Sequence, residues 1–220
     1  ALSHTAQVPN EILCNIFLEL WAMCLDWPEG VPGEEDVVVK RDLRWLAVTQ
    51  VCCRWRQVSL NLPPLWSHIQ IASHQPTHFP ELQLQRSKGH ALSIQIHLSN
   101  PSIVKNTRTL SFINDTLLLQ HMERLKSLDI TGCTKATDQV VRKLSGPTPL
   151  LEVLNFHHSV FIIRNDLLSS GAPRLRDVTL ERCEQLPWDW PILVSESLVH
   201  LRIQLRTSAN FPEWYQLKFV

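Results

Sequence analysis

Hydrophobic positions recur at helical spacing up to Leu60 and alternate one-on, one-off from Trp66 onward. In "VPNEILCNIFLEL" (residues 8–20), Ile12, Leu13, Ile16, Phe17 and Leu20 fall at three- and four-residue steps, which predicts a helix. Pro9 stands in its first turn, where a missing N–H costs nothing, and Glu11 complements the positive end of the helix dipole. A second helix is predicted from about Arg41 to Leu60. Its apolar stripe is Leu43, Leu46, Ala47, Val51, Trp55 and Val58, and Asn61 with Pro63-Pro64 stops it. Between the two, "DWPEGVPGEED" (26–36) carries two prolines, two glycines and an acidic run, and reads as a loop.

Beyond Trp66 the pattern repeats. "HIQIA" (68–72) and "LSIQIHL" (92–98) alternate as half-buried strands do. "RLKSLDITGC" (124–133), "LLEVLNFHHS" (150–159), "RLRDVTLERC" (174–183) and "SLVHLRIQLR" (197–206) share the template Leu-x-x-apolar-x-apolar. Aligned on their central apolar pair, the six segments superpose Ile69, Ile94, Leu128, Leu154, Val178 and Leu201, at successive steps of 25, 34, 26, 24 and 23 residues. Helix signals lie between them. "TDQVVRKLSGP" (137–147) offers Asp138 as N-cap, Val140, Val141 and Leu144 as a buried stripe, and Gly146-Pro147 as a stop. "NDLLSSGAP" (165–173) is a shorter version, and "EQLPWDWPILVSES" (184–197) reads as irregular. A strand-then-helix unit of this length cannot bury its own apolar face, so the units are expected to stack into a curved solenoid with a parallel sheet of about six strands. The expected class is α/β, with a helical module over 1–66, a loop insertion near 26–40, and the repeat array over 67–220. The closing "FPEWYQLKFV" shows no polar cap, which leaves continuation beyond Val220 or closure by a partner.

Composition narrows the function. Apolar residues make up 44% and charged residues 19%, enough for a real core. Lys+Arg and Asp+Glu balance at 21 each, against nucleic acid or an anionic membrane as the main partner. No apolar run approaches the roughly 20 residues that cross a bilayer, and no signal peptide pattern appears. The first residue, Ala1, suggests a trimmed chain. Cys14, Cys24, Cys52, Cys53, Cys133 and Cys183 sit within apolar patterns and read as reduced, buried small hydrophobes of a cytoplasmic or nuclear protein.

Three clusters raise chemistry and lose it. Adjacent Cys52 and Cys53 cannot easily share one tetrahedral zinc, and no Cys-x-x-Cys partner lies near them. His157 and His158 alternate faces on a strand, with nothing to complete a metal site. Arg54 and Arg56 flank Trp55 in the manner of a nucleic-acid stacking patch, but in a neutral chain they read as a solvated helix face. No Gly-rich phosphate loop, Gly-x-Ser-x-Gly or His-Glu-x-x-His is present. No catalytic residue, metal or cofactor is expected, and the chain is not expected to be an enzyme.

The repeats resemble leucine-rich repeats, more narrowly the cysteine-containing subtype. Leu125, Leu128, Ile130, Cys133, Thr137 and Asp138 match its pattern, and Leu175, Val178, Leu180 and Cys183 match its first half. The amino-terminal part resembles an F-box through Val8, Pro9, Glu11, Ile12, Ile16 and Phe17, then Val51, Cys52 and Trp55, then Leu65 and Trp66. Its "VCCRWR…PPLW" wording is similar to that of fungal members. Cys53 stands where the family prefers Arg or Lys, and residues 21–42 are an insertion. The resemblance implies the substrate-recognition subunit of a Skp–cullin–F-box ubiquitin ligase. Pro9, Ile12, Leu13, Ile16, Phe17, Val51 and Trp55 would then dock on the Skp adaptor, and through it a cullin–RING ligase. In such a solenoid the strands line the concave face, so an unknown protein target would meet Ser127, Asp129 and Thr131; Asn155 and His157; Asp177, Thr179 and Glu181; and His200, Arg202 and Gln204. The runner-up is a structural repeat scaffold with an F-box-like cap and no ligase role. A third reading, a small-ligand sensor as some F-box proteins are, calls for a pocket of clustered Arg and Lys that the repeat strands do not supply.

Overall fold

In a computed structural model of the chain, which describes residues 8–24, 43–72, 76–98, 107–132, 134–157, 166–183, 189–205 and 213–218, the six alternating segments become neighbouring parallel strands. They are β1 (His68–Ala72), β2 (Leu92–Leu98), β3 (Leu125–Gly132), β4 (Val153–His157), β5 (Asp177–Cys183) and β6 (His200–Leu205). Their register aligns Ile69, Ile94, Leu128, Leu154, Val178 and Leu201, the same six positions that the sequence template superposes. A seventh strand, β7 (Glu213–Lys218), pairs antiparallel along β6, so the β6 edge is covered by the chain's own "EWYQLK".

Period-2 alternation then decides the layers. Every second strand residue, Ile69 and Ile71 through Leu201 and Ile203, is buried in one hydrophobic cluster with the helical residues that cross between strands. These come from α4 (His78–Arg86), from the β2–β3 connection and from α7 (Thr134–Val141). The structure is therefore mixed α/β, with helices against one face of the sheet and a half-exposed polar face on the other. Side chains also tie one connection to the previous one. Trp190 Nε1 donates to Leu167 O at 2.9 Å, Ser197 Oγ to Leu175 O at 2.9 Å and Ser170 Oγ to Ser145 O at 2.7 Å.

The long 34-residue step between β2 and β3 holds more helix than the others: α5 (Thr107–Ser111), a π-helical stretch (Phe112–Leu118) and α6 (Leu119–His121). Elsewhere the helices fall short of the sequence expectation. Asp138 lies inside α7 and pairs with Arg142 at 2.9 Å, so it is not the N-cap. Residues 166–170 form turns, because Ser169-Ser170-Gly171 interrupts so short an apolar run. The loop at 26–36, Cys133 and His158 lie outside the described residues.

The amino-terminal part has its own cluster. Here α1 (Asn10–Met23), a 3-10 turn (Arg44–Thr49), α2 (Cys53–Leu60) and α3 (Pro63–Trp66) enclose Leu13, Phe17, Trp45, Val48, Leu65 and Trp66. Pro9 precedes the first helical residue, and Glu11 lies in the first turn. The predicted helix from Arg41 to Leu60 is broken at Val51-Cys52, where Cys52 turns extended (φ −159°, ψ 169°) and its sulfur accepts the Trp55 N–H at 3.4 Å as an N-cap. Cys52 and Cys53 are exposed and Cys14 and Cys24 half-buried, all four as free thiols, which corrects the expectation of buried cysteines.

Close approach makes one glycine indispensable. At Gly132 a Cβ would lie 2.5 Å from Leu98 Cβ and 2.7 Å from the Leu98 backbone on the neighbouring strand. Gly132→Ala is expected to lower unfolding free energy by about 1–3 kcal/mol, the usual cost of overpacking a tight site. Urea denaturation measures it, and an unchanged midpoint would contradict this packing.

Candidate functional site

Two surfaces carry the residues that the sequence singles out. The first is α1. At 100° per residue its i, i+4 pairs make two adjacent apolar stripes. Leu13 and Phe17 point inward and are fully buried, and Phe17 packs on Trp55 with ring centroids 5.1 Å apart. Neither is available to a partner, so both are placed as core and not as docking residues. The neighbouring stripe stays open: Ile12 is 49% exposed, Ile16 40%, Leu20 40% and Met23 70%. Val51, at the break before α2, is 56% exposed, and Pro9 is exposed too. Leu20 and Met23 extend the surface beyond the residues expected from sequence; their spacing from Ile16, four and seven residues, is the signal that marks them.

The arginines around Trp55 are clamps that set this surface. Arg54 holds Asn10 Oδ1 at 2.8 Å and the Val8 carbonyl, fixing the start of α1 against α2. Arg56 donates to Thr49 O at 2.9 Å and Gln50 Oε1 at 3.1 Å, fixing the 3-10 turn.

The second surface is the polar face of the sheet. Ser127, Asp129, Thr131, Asn155, His157, Asp177, Thr179, Glu181 and Gln204 are half-buried there, and His200 and Arg202 exposed. The register places them in rows, Asp129–Asn155–Thr179–Arg202 being one. The rows continue onto β1 and β2 through His68, Gln70, Ser93, Gln95 and His97, where Gln70 donates to Gln95 Oε1 at 3.0 Å. The alternation of "HIQIA" and "LSIQIHL" carries that extension, although the candidates expected from sequence begin only at β3.

At its centre three strands are bridged by one imidazole. His157 Nε2 lies 3.5 Å from Asp129 Oδ2, and its Nδ1 3.2 Å from Glu181 Oε1. Beside it Asp177 Oδ1 meets His200 Nδ1 at 2.6 Å. Burial alone would push His157 down, but the hydrogen bonds and charges of Asp129 and Glu181 outweigh it and raise its pKa to about 10. His97 goes the other way, down to about 4, mainly through burial, with His157 also lowering it and Asp129 opposing. One histidine is thus a fixed cation at neutral pH and its neighbour is neutral. Among the described residues no His, Cys, Asp and Glu group has a metal-holding geometry, and no helix is long and apolar enough to cross a membrane.

The two histidines have opposite linkage signs. His157, raised above its ordinary 6.5, contributes stability that is fully present below about pH 6.5 and lost as pH rises through about 10. His97, depressed to about 4, costs stability as pH falls from 6.5 toward 4, because the unfolded chain takes up a proton that the folded one refuses. His157→Gln is expected to destabilise by about 1 kcal/mol at pH 7, the scale of a partly exposed ion pair. It should also flatten the decline in stability between pH 7 and 10. Chemical denaturation across pH measures both, and an alkaline slope as steep as the parent's would contradict the bridge.

Compared with protein-family models, with curated proteins and with solved structures, the chain matches none.

Proposed function

We propose that the chain is the substrate receptor of a Skp–cullin–F-box ubiquitin ligase, with no chemistry of its own. The carrying observation is the open stripe Ile12–Ile16–Leu20–Met23 with Val51, held on a module whose own core is already filled by Leu13, Phe17, Trp45 and Trp66. Large apolar side chains gain roughly 1.5–3 kcal/mol each on full burial, so a contiguous set left in water favours a protein partner. In this reading the stripe docks on the Skp adaptor. The polar sheet face, with its carboxylates, amides and hydroxyls, holds a protein target near a ubiquitin-charged enzyme on another subunit, and the gain is effective concentration.

A second reading has an observation of its own. Trp21 of α1 lies edge-on to His68 of β1 at 5.9 Å, Arg86 of α4 covers the Trp66 ring at 4.5 Å, and Phe79 packs against the helical cluster. These contacts tie the module to one residue of β1 and to α4, which favours a cap on a repeat scaffold.

Calorimetric titration with a Skp adaptor separates the two. The receptor reading expects one-to-one, sub-micromolar binding that Ile12→Asp with Ile16→Asp abolishes while the melting temperature stays within about 3 °C, as surface changes do. Leu13→Ala should instead cost about 2–5 kcal/mol of stability. No adaptor binding by the folded chain overturns the receptor reading and leaves the cap.

A further inference from the structure

On the helical side of the sheet, away from both surfaces above, α4 and the β2–β3 connection leave a pocket of about 330 Å³. Its floor is Leu84 and Phe112, and its polar lining is Glu81, Gln85, Lys88, Thr116, His121 and Arg124. Three features converge on it. Phe112 and Thr116 belong to the π-helical stretch, and such wide turns cost hydrogen-bond geometry and occur often at functional sites.

Lys88 has a left-handed backbone, φ +49°, at the position just past a helix that glycine usually fills, although Gly89 stands next to it. Few non-glycine residues adopt this backbone, and here it places the exposed Lys88 side chain in the pocket lining.

Arg124 is half-buried; its Nε and Nη2 donate to His90 O at 3.0 and 2.7 Å, Nη2 also to Ser87 Oγ at 2.8 Å, and Nη1 lies 3.4 Å from His121 Nδ1, with no carboxylate partner among the described residues. Burial lowers its pKa by disfavouring the charged form. Lys88 likewise has no ion-pair partner among the described residues. The one carboxylate of the lining, Glu81, is engaged by Thr77 Oγ1 at 2.7 Å. It lies within α4, whereas Lys88 lies two residues past the helix end. The lining therefore joins two cations with no carboxylate partner among the described residues, a buried apolar pair and one carboxylate that is already engaged.

We propose that this pocket binds a small organic anion, a carboxylate or phosphate monoester on an apolar body, with Lys88 and Arg124 holding the anionic group and Leu84 and Phe112 the body. The volume lies at the small end of ligand pockets. The site stands apart from the adaptor reading and its test needs no adaptor.

The full chain is titrated by calorimetry with phenylacetate, phenyl phosphate, inorganic phosphate and neutral phenylacetamide. Saturable binding of phenylacetate or phenyl phosphate is expected, and whichever is tighter identifies the head group. Inorganic phosphate and phenylacetamide, each lacking one half of the pharmacophore, should bind at least about tenfold more weakly. Because Arg124 also holds the His90 carbonyl, the variants are made at Lys88. Lys88→Gln should weaken binding about tenfold. Lys88→Gly should weaken it equally while raising the melting temperature, since glycine relieves the left-handed strain. The proposal is overturned by no saturable binding of either aromatic anion up to about 10 mM. It is equally overturned by phenylacetamide binding as tightly as the anions, or by affinities that neither Lys88 variant changes.

Discussion

One shared register holds this molecule together. Six parallel strands align Ile69, Ile94, Leu128, Leu154, Val178 and Leu201 in a single buried row, and a slip of one residue on any strand would turn its apolar set toward water. Parallel pairing needs a crossover for each strand, and those crossovers put their helices and turns on one side. The described polar residues that alternate with that row are thereby sent to the other side, where residues from distant parts of the chain become neighbours. The Asp129–His157–Glu181 bridge exists only because three successive strands agree on that register.

The helical module solves a different problem. A helix as apolar as α1 must hide one stripe and leave another, and Phe17 against Trp55 with Trp45 against Trp66 decides which is hidden. The ring centroids of the second pair are 5.2 Å apart and nearly perpendicular, and Trp66 Nε1 is satisfied by Ser59 O at 2.8 Å. With that core filled, the remaining stripe stays 40% exposed or more along Ile12, Ile16, Leu20 and Met23. A module with a spare apolar stripe, continuous in sequence with a polar sheet face, is suited to joining two proteins, and joining is the whole of the proposed mechanism.

Much of this is legible in the sequence, for physical reasons. Alternation with a fixed template is a strong signal, so the strands, their order and even the row of central apolar residues follow from the spacing of residues along the chain. The inner and outer stripes of α1 do not, because Leu13 and Ile12 look alike until the tryptophans that cover one of them are placed. Cys52 reads as buried because its neighbours are apolar, whereas the chain uses its sulfur to cap α2. The β2–β3 connection carries no clean period, since a π-helical stretch shifts the phase of the apolar face partway along. Of the candidate site, the polar face from β3 onward is legible as alternate positions. The bridging of two carboxylates by one histidine is not, because it needs the strand register and, for Asp129, a diagonal contact two residues off the paired Thr131.

Hydrogen exchange on the full chain with and without a Skp adaptor decides whether the open stripe of α1 is a docking surface. The account predicts added protection confined to α1 and the segment around Val51, with β3 to β6 unchanged until a target is present. Protection spread over the strands, or none anywhere at saturating adaptor, would contradict it.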